Sequence, residues 1–149
     1  MQPLESKDAE IKTKGLYRTL LIIWFAFLLS IGVIALLSLT VLKPVATERN
    51  NSVLGFALGA LGGFLFVLSL VIKNKVLARA IEQQSAARAQ QAYIIAFALC
   101  ETVALIGLIF HLLNNSMIQL VFFFIAIFGI VINMPRRSPL VAALSEKRI

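Results

Sequence analysis

An all-α, polytopic membrane protein with four transmembrane helices and both termini in the cytoplasm is the fold class the sequence predicts. Three observations carry it. The chain of 149 residues is 60% hydrophobic with a mean hydropathy of +0.92, whereas only 14% of its residues are charged, against about a quarter in an ordinary soluble domain. Nearly all charges fall in three short blocks separated by uncharged apolar runs. Four of those runs reach or approach the ~20 apolar residues that cross a bilayer: Thr19 to Leu42, Val53 to Ile72, Ala92 to Leu113, and Met117 to Met134, the last being the shortest.

Residues 1–18 mix charges of both signs and read as a cytoplasmic arm, surface-lying or disordered, with Tyr17 and Trp24 near the membrane interface. The first run is longer than the apolar core of a secretion signal and lacks a clear small-residue cleavage site, so it is read as a retained span. Lys43-Pro44 ends it, because proline cannot continue the helical hydrogen-bond ladder and disfavours helix at the residue before it. A short outer loop, "VATERNNS", follows. The second span carries Gly55, Gly59 and Gly63 at four-residue spacing, a small-residue face that admits a close neighbouring helix.

Between the second and third spans, "KNKVLARAIEQQSAARAQQ" is rich in helix formers and free of Gly and Pro, which predicts a helical hairpin continuing beyond the membrane. Asn114-Asn115-Ser116 reads as a tight turn into the fourth span, whose "VFFFIAIF" presents bulky rings to lipid or to a neighbour. The domain organisation is thus an arm (1–18), a transmembrane domain (19–134) and a cytoplasmic tail (135–149) in which "LVAALSEKRI" forms a short interfacial helix.

Orientation comes from the short loops. Lys7, Lys12, Lys14 and Arg18, then Lys73, Lys75, Arg79 and Arg88, then Arg136, Arg137, Lys147 and Arg148 fall on one side, and only Lys43 and Arg49 on the other. The basic side is expected in the cytoplasm, as in a bacterial-type inner (plasma) membrane. The net charge of +7 is accounted for by this topology; no base-reading motif or aromatic platform accompanies it, so nucleic acid is not an expected partner. Membrane lipid is.

One residue breaks the pattern. Glu101 stands near the middle of the third span, where a charged carboxylate facing lipid costs about 2.5–3.5 kcal/mol on insertion scales. No Lys or Arg lies inside any span, so the partner is a proton, a cation, a neutral polar group or another subunit. At about 100° per residue, Ala96, Cys100, Ala104, Gly107 and His111 form one mostly small stripe with Glu101 on its edge. The stripe is expected to pack on the Gly55/Gly59/Gly63 face. The bland reading of Glu101 is a hydrogen bond to a hydroxyl on another helix, with Ser30, Ser38 and Ser69 as candidates; the functional reading is a reversible H⁺ or Na⁺ site. His111 is a candidate proton-path residue, but ten residues place it roughly 15 Å along the helix from Glu101, and an interfacial polar cap is the simpler role. The same spacing argues against a metal held by Cys100, Glu101 and His111. Cys100, the single cysteine, rules out an internal disulfide and has no base within reach to activate it. Neither a nucleophile nor a paired acid cluster marks an enzyme, and no cofactor is implied beyond the H⁺ or Na⁺.

Ala98-Leu99-Cys100-Glu101-Thr102-Val103-Ala104-Leu105-Ile106-Gly107-Leu108 resembles the carboxylate helix of the proteolipid (c) subunit of rotary ATP synthases. A glycine-faced helix, a polar loop with Arg79, Gln83 and Gln84, and an acid-bearing helix follow that family's order over residues 53–113. The resemblance implies a homo-oligomeric ring in which Glu101 binds and releases H⁺ or Na⁺. The alternative is a non-catalytic accessory or assembly subunit of a larger membrane complex, offering its glycine face to that complex and its basic loop to partners or anionic lipid.

Overall fold

The computed structural model describes residues 3–40, 52–113 and 119–144, and these form five helices: α1 (Pro3–Thr40), α2 (Ser52–Glu82), α3 (Ala86–Leu113), α4 (Gln119–Ile132) and α5 (Arg137–Leu144). Three of them, α1 to α3, are long and apolar enough to cross a membrane, and a fourth crossing exists if α4 and α5, bent by 52° at their junction, are one broken span. This marks an integral membrane protein. The predicted loop after Lys43-Pro44, the Asn114-Asn115-Ser116 turn and residues 145–149 lie outside the described residues.

α3 is the central rod. It packs against α1, α2, α4 and α5, most extensively against α2, while α1 and α2 make no contact with each other among the described residues. Half of α3's most apolar window (50%) is buried, against 11% for α1 and for α2, so the flanking helices turn most of their side chains outward. Phe56 (82% exposed) and Val53 (81%) are the extremes. For spans in a bilayer this outward apolar surface is the expected one, because lipid tails solvate it.

α1 is a single helix of 38 residues, about 57 Å long. The segment expected as a surface-lying or disordered arm is therefore helical from Pro3 and continuous with the first span. Its sequence explains this: "LESKDAEIKTK" is made largely of residues that accept helix, and Pro3 sits at the first helical position, where its missing N–H costs nothing.

The hairpin between α2 and α3 closes in three residues. Ser85 N–H donates to Ala80 O (2.9 Å) and Gln84 N–H to Ile81 O (3.2 Å), the paired bonds of a Schellman C-cap. Gln84 takes the left-handed conformation at φ 49°, a position where glycine is usual. Ser85 then caps α3, its hydroxyl accepting from Arg88 N–H at 3.4 Å. Gln84→Gly is expected to stabilise the protein by about 1 kcal/mol, since an L-residue meets a steric penalty there; thermal unfolding in detergent checks this.

α4 is shorter than the fourth span expected at 117–134. Its 14 residues rise about 21 Å, short of the ~30 Å hydrocarbon thickness. Pro135 enforces the break. The last turn tightens, with Met134 N–H bonding Val131 O at 3.1 Å, which leaves the Ile130 carbonyl without its usual helical donor. Trp24 of α1 supplies one: its indole N–H reaches Ile130 O at 2.9 Å. Trp24→Phe should therefore cost about 1 kcal/mol, measured as a loss of thermal stability that Trp24→Tyr does not rescue.

α5 begins three residues before the predicted "LVAALSEKRI" helix and folds back over one end of the bundle. Leu140 and Ala143 are buried there with Leu20, Ala80, Ala89, Tyr93 and Phe97. Arg137 lies over the Tyr17 ring, 4.8 Å from its centroid, and Arg136 N–H bonds the Tyr93 hydroxyl at 3.4 Å. The start of α1, the α2–α3 turn and α5 thus share one end, which holds every described lysine and arginine side chain.

Candidate functional site

Glu101 lies at the seam between α3 and α1, where Ser30 Oγ–H donates to its Oε1 at 2.5 Å. Ser30 is central in the apolar run of α1 as Glu101 is in that of α3, and the two helices run parallel from the basic end, so both residues sit at similar depth. Of the three candidate serines, then, Ser30 reaches the acid. Glu101 is only partly buried, so the rest of the carboxyl stands at the protein surface. Neighbouring Thr102 does not compete for it, because its hydroxyl bonds back to Ala98 O at 2.9 Å.

The stripe behind Glu101 is buried throughout: Ala96, Cys100, Ala104, Gly107 and His111. It divides between two neighbours. Cys100 meets Ser69 of α2 at 3.7 Å and Asn133, after α4, at the same separation. Gly107 faces α4, where a Cβ would come within 2.7 Å of Phe122 Cβ and 3.4 Å of Gln119 O.

The glycine face of α2 is disposed differently from the spacing argument. A Cβ on Gly55 would lie 3.2 Å from the Phe110 ring, but at Gly59 and Gly63 it would meet nothing within 4 Å. Gly62 takes the contact instead, 3.1 Å from Phe122 and 3.7 Å from Val103. Gly55 and Gly62 are seven residues apart and differ by about 20° around the helix, and Phe66, Ser69 and Lys73 continue their line; Gly59 and Gly63 drift off it by about 40° and 80°. The seam follows a near-heptad line. Gly59→Ala should accordingly change stability by no more than about 0.5 kcal/mol apart from the helix-propensity gain, a comparison made by thermal unfolding beside Gly55→Ala.

His111 is buried rather than at an exposed interface, with Nδ1 2.6 Å from Gln119 Oε1. It pairs with the start of α4, roughly 15 Å along α3 from Glu101. A second buried polar group was not foreseen. Asn133, fully buried, donates from Nδ2 to Gly129 O at 2.8 Å and lies 3.4 Å from Ser69 Oγ. It caps the end of α4, and the signal for it was the "NMP" that closes the fourth apolar run. Gly129 lets this cluster close, since a Cβ there would stand 2.7 Å from Cys100 Sγ. Among the described residues no group of three His, Cys, Asp or Glu side chains is placed to hold a metal ion.

Comparison with protein-family models, with curated proteins and with solved structures finds no match, so the functional reading rests on this geometry.

Proposed function

We propose that the protein is a small subunit of a bacterial-type inner membrane, with four crossings and both termini in the cytoplasm, whose Glu101 carboxyl binds and releases a proton within the membrane. The observation that carries this is the pairing of a mid-span, partly exposed carboxyl with one hydroxyl donor, Ser30. The open side of the group gives a proton its route from a neighbouring subunit or a water-lined path, as intramembrane acids of this kind commonly have. Glu101 and Ser30 offer two side chains, enough for a proton, whereas a hard cation such as Na⁺ collects several oxygen ligands and would need others from a second chain. A proteolipid-like assembly supplies that second chain, and a homo-oligomer is the quaternary state this reading expects.

The test is labelling by a hydrophobic carbodiimide, which reacts with protonated carboxyls in apolar surroundings. Glu101 is expected to be modified at mildly acidic pH, with labelling that declines as pH rises and is absent in Glu101→Gln. No labelling of Glu101 at any pH overturns the proposal. Protection by Na⁺ would assign the cation instead of the proton.

The accessory-subunit reading draws on a different observation, the open groove left at Gly59 and Gly63. It predicts co-purification with unlike chains and full tolerance of Glu101→Gln, whereas the proton-binding subunit runs on a native gel as a homo-oligomer and loses function in that variant.

A further inference from the structure

α5 is attached to the bundle differently from the other helices. α4 ends at Ile132, and residues 133–136, with Pro135 among them, turn the chain by 52° into α5. The two helices do not touch each other among the described residues, so α5 is held by what it meets on α1, α2 and α3. That hold is small. Of the described α5 side chains only Leu140 and Ala143 are buried. Arg137 stands over the Tyr17 ring, and Arg136 N–H reaches the Tyr93 hydroxyl at a long 3.4 Å. On the α2 side an open cleft of about 430 Å³ remains, lined by Leu77 and Ile81 of α2 and Pro139 and Ala142 of α5.

Beneath α5, Ala89, Tyr93, Ala96 and Cys100 form one buried line on α3 at helical spacing. α5 packs with the first two, whereas Cys100 meets Asn133 at the end of α4. There one polar atom is left unmet. Asn133 is fully buried and its Oδ1 has no hydrogen-bond partner. Turning the amide over does not cure this, since it would set Oδ1 against Gly129 O, to which Nδ2 now donates at 2.8 Å. The nearby Ser69 hydroxyl is no help, because its proton goes to Phe66 O at 2.7 Å. A buried acceptor without a donor is destabilising, and this one sits at the root of the link to α5.

We propose that α5 is a hinged lid, which swings about residues 133–136 and when lifted admits water along that line of α3 to Asn133 Oδ1 and the Cys100 thiol. Closure buries two apolar side chains and strands an acceptor; opening gives them up and supplies the acceptor with a donor, so the two states lie close in free energy. Further along the same line α4 covers α3 at Gly107 and His111. The opening therefore ends at Cys100. The lid requires no titration of Glu101 and does not depend on the proton reading.

Cys100 is the single cysteine and reports on the lid. The experiment uses the full chain in mild detergent and follows alkylation by a small water-soluble maleimide, each rate taken relative to that of the same chain unfolded in SDS. Cys100 is expected to react at least tenfold faster than Ala104→Cys on a Cys100→Ser background, a fully buried position one turn further in that general unfolding alone would expose. Arg137→Gln, which removes the cation above Tyr17 and leaves the core intact, should speed the reaction of Cys100 about threefold. Asn133→Leu, similar in shape and without the stranded oxygen, should slow it about tenfold; Gly129 O keeps the backbone N–H of residue 133, at 3.0 Å, in that variant. No reaction of Cys100 in the folded protein, equal rates at Cys100 and Ala104→Cys, or a rate that Arg137→Gln fails to raise or Asn133→Leu fails to lower would each overturn the proposal.

Discussion

A leucine at Gly107 is expected to destabilise the bundle by about 3 kcal/mol, at the upper end of what overpacking does. The reason is which atom it would strike. The Cβ alone would stand 2.7 Å from Phe122 Cβ, and that atom is fixed to the α4 backbone, so no rotamer of Phe122 relieves the clash. Either α3 or α4 must move. Separating them also opens the Phe110–Phe122 ring contact, now 5.8 Å between centroids, and strains the bond between His111 and Gln119. Gly129→Ala makes the instructive contrast. Its Cβ would also approach to 2.7 Å, but of Cys100 Sγ, a side-chain terminus that can rotate, so a loss of about 1 kcal/mol is expected. Thermal unfolding in one detergent ranks the two, and an equal loss at both positions would mean that α4 does not sit as described.

Removal of the Ser30 hydroxyl is the second large effect. Ser30→Ala takes the donor from a carboxyl at mid-span, and hydrogen bonds to charged groups contribute about 1.5–3 kcal/mol. A double-mutant cycle with Glu101→Gln isolates the pair, and a coupling of about 2 kcal/mol is expected. A coupling near zero would mean that the hydroxyl and the carboxyl do not meet as described.

How much of this was legible depended on how locally each feature is encoded. The three long spans follow from uninterrupted apolar runs, and the α2–α3 hairpin from a stretch of helix formers without Gly or Pro, both properties of the chain itself. The break after α4 was written in Pro135, yet the span was drawn through to Met134, because an apolar run does not reveal where its hydrogen-bond ladder ends. Gly62 and Gly129 were hidden for another reason. Which glycine meets a neighbour depends on the line along which two helices cross, and the four-residue spacing of Gly55, Gly59 and Gly63 suggested a line that the packing of Phe66, Ser69 and Phe122 does not follow. Glu101 stood out at once as an acid in hydrocarbon. Its partner could only be narrowed to three serines, since the sequence does not say which helix adjoins which.

That adjacency has a consequence for biosynthesis. α1 is made before α2 yet does not touch it among the described residues; its neighbours are α3, α4 and α5. During translation it must wait among lipids until α3 has been made, and the Ser30 bond to Glu101 then forms late, as a latch closing over the α2–α3 hairpin. A chain severed between α1 and α2 should therefore still reassemble from its two pieces when both are expressed in the same cell.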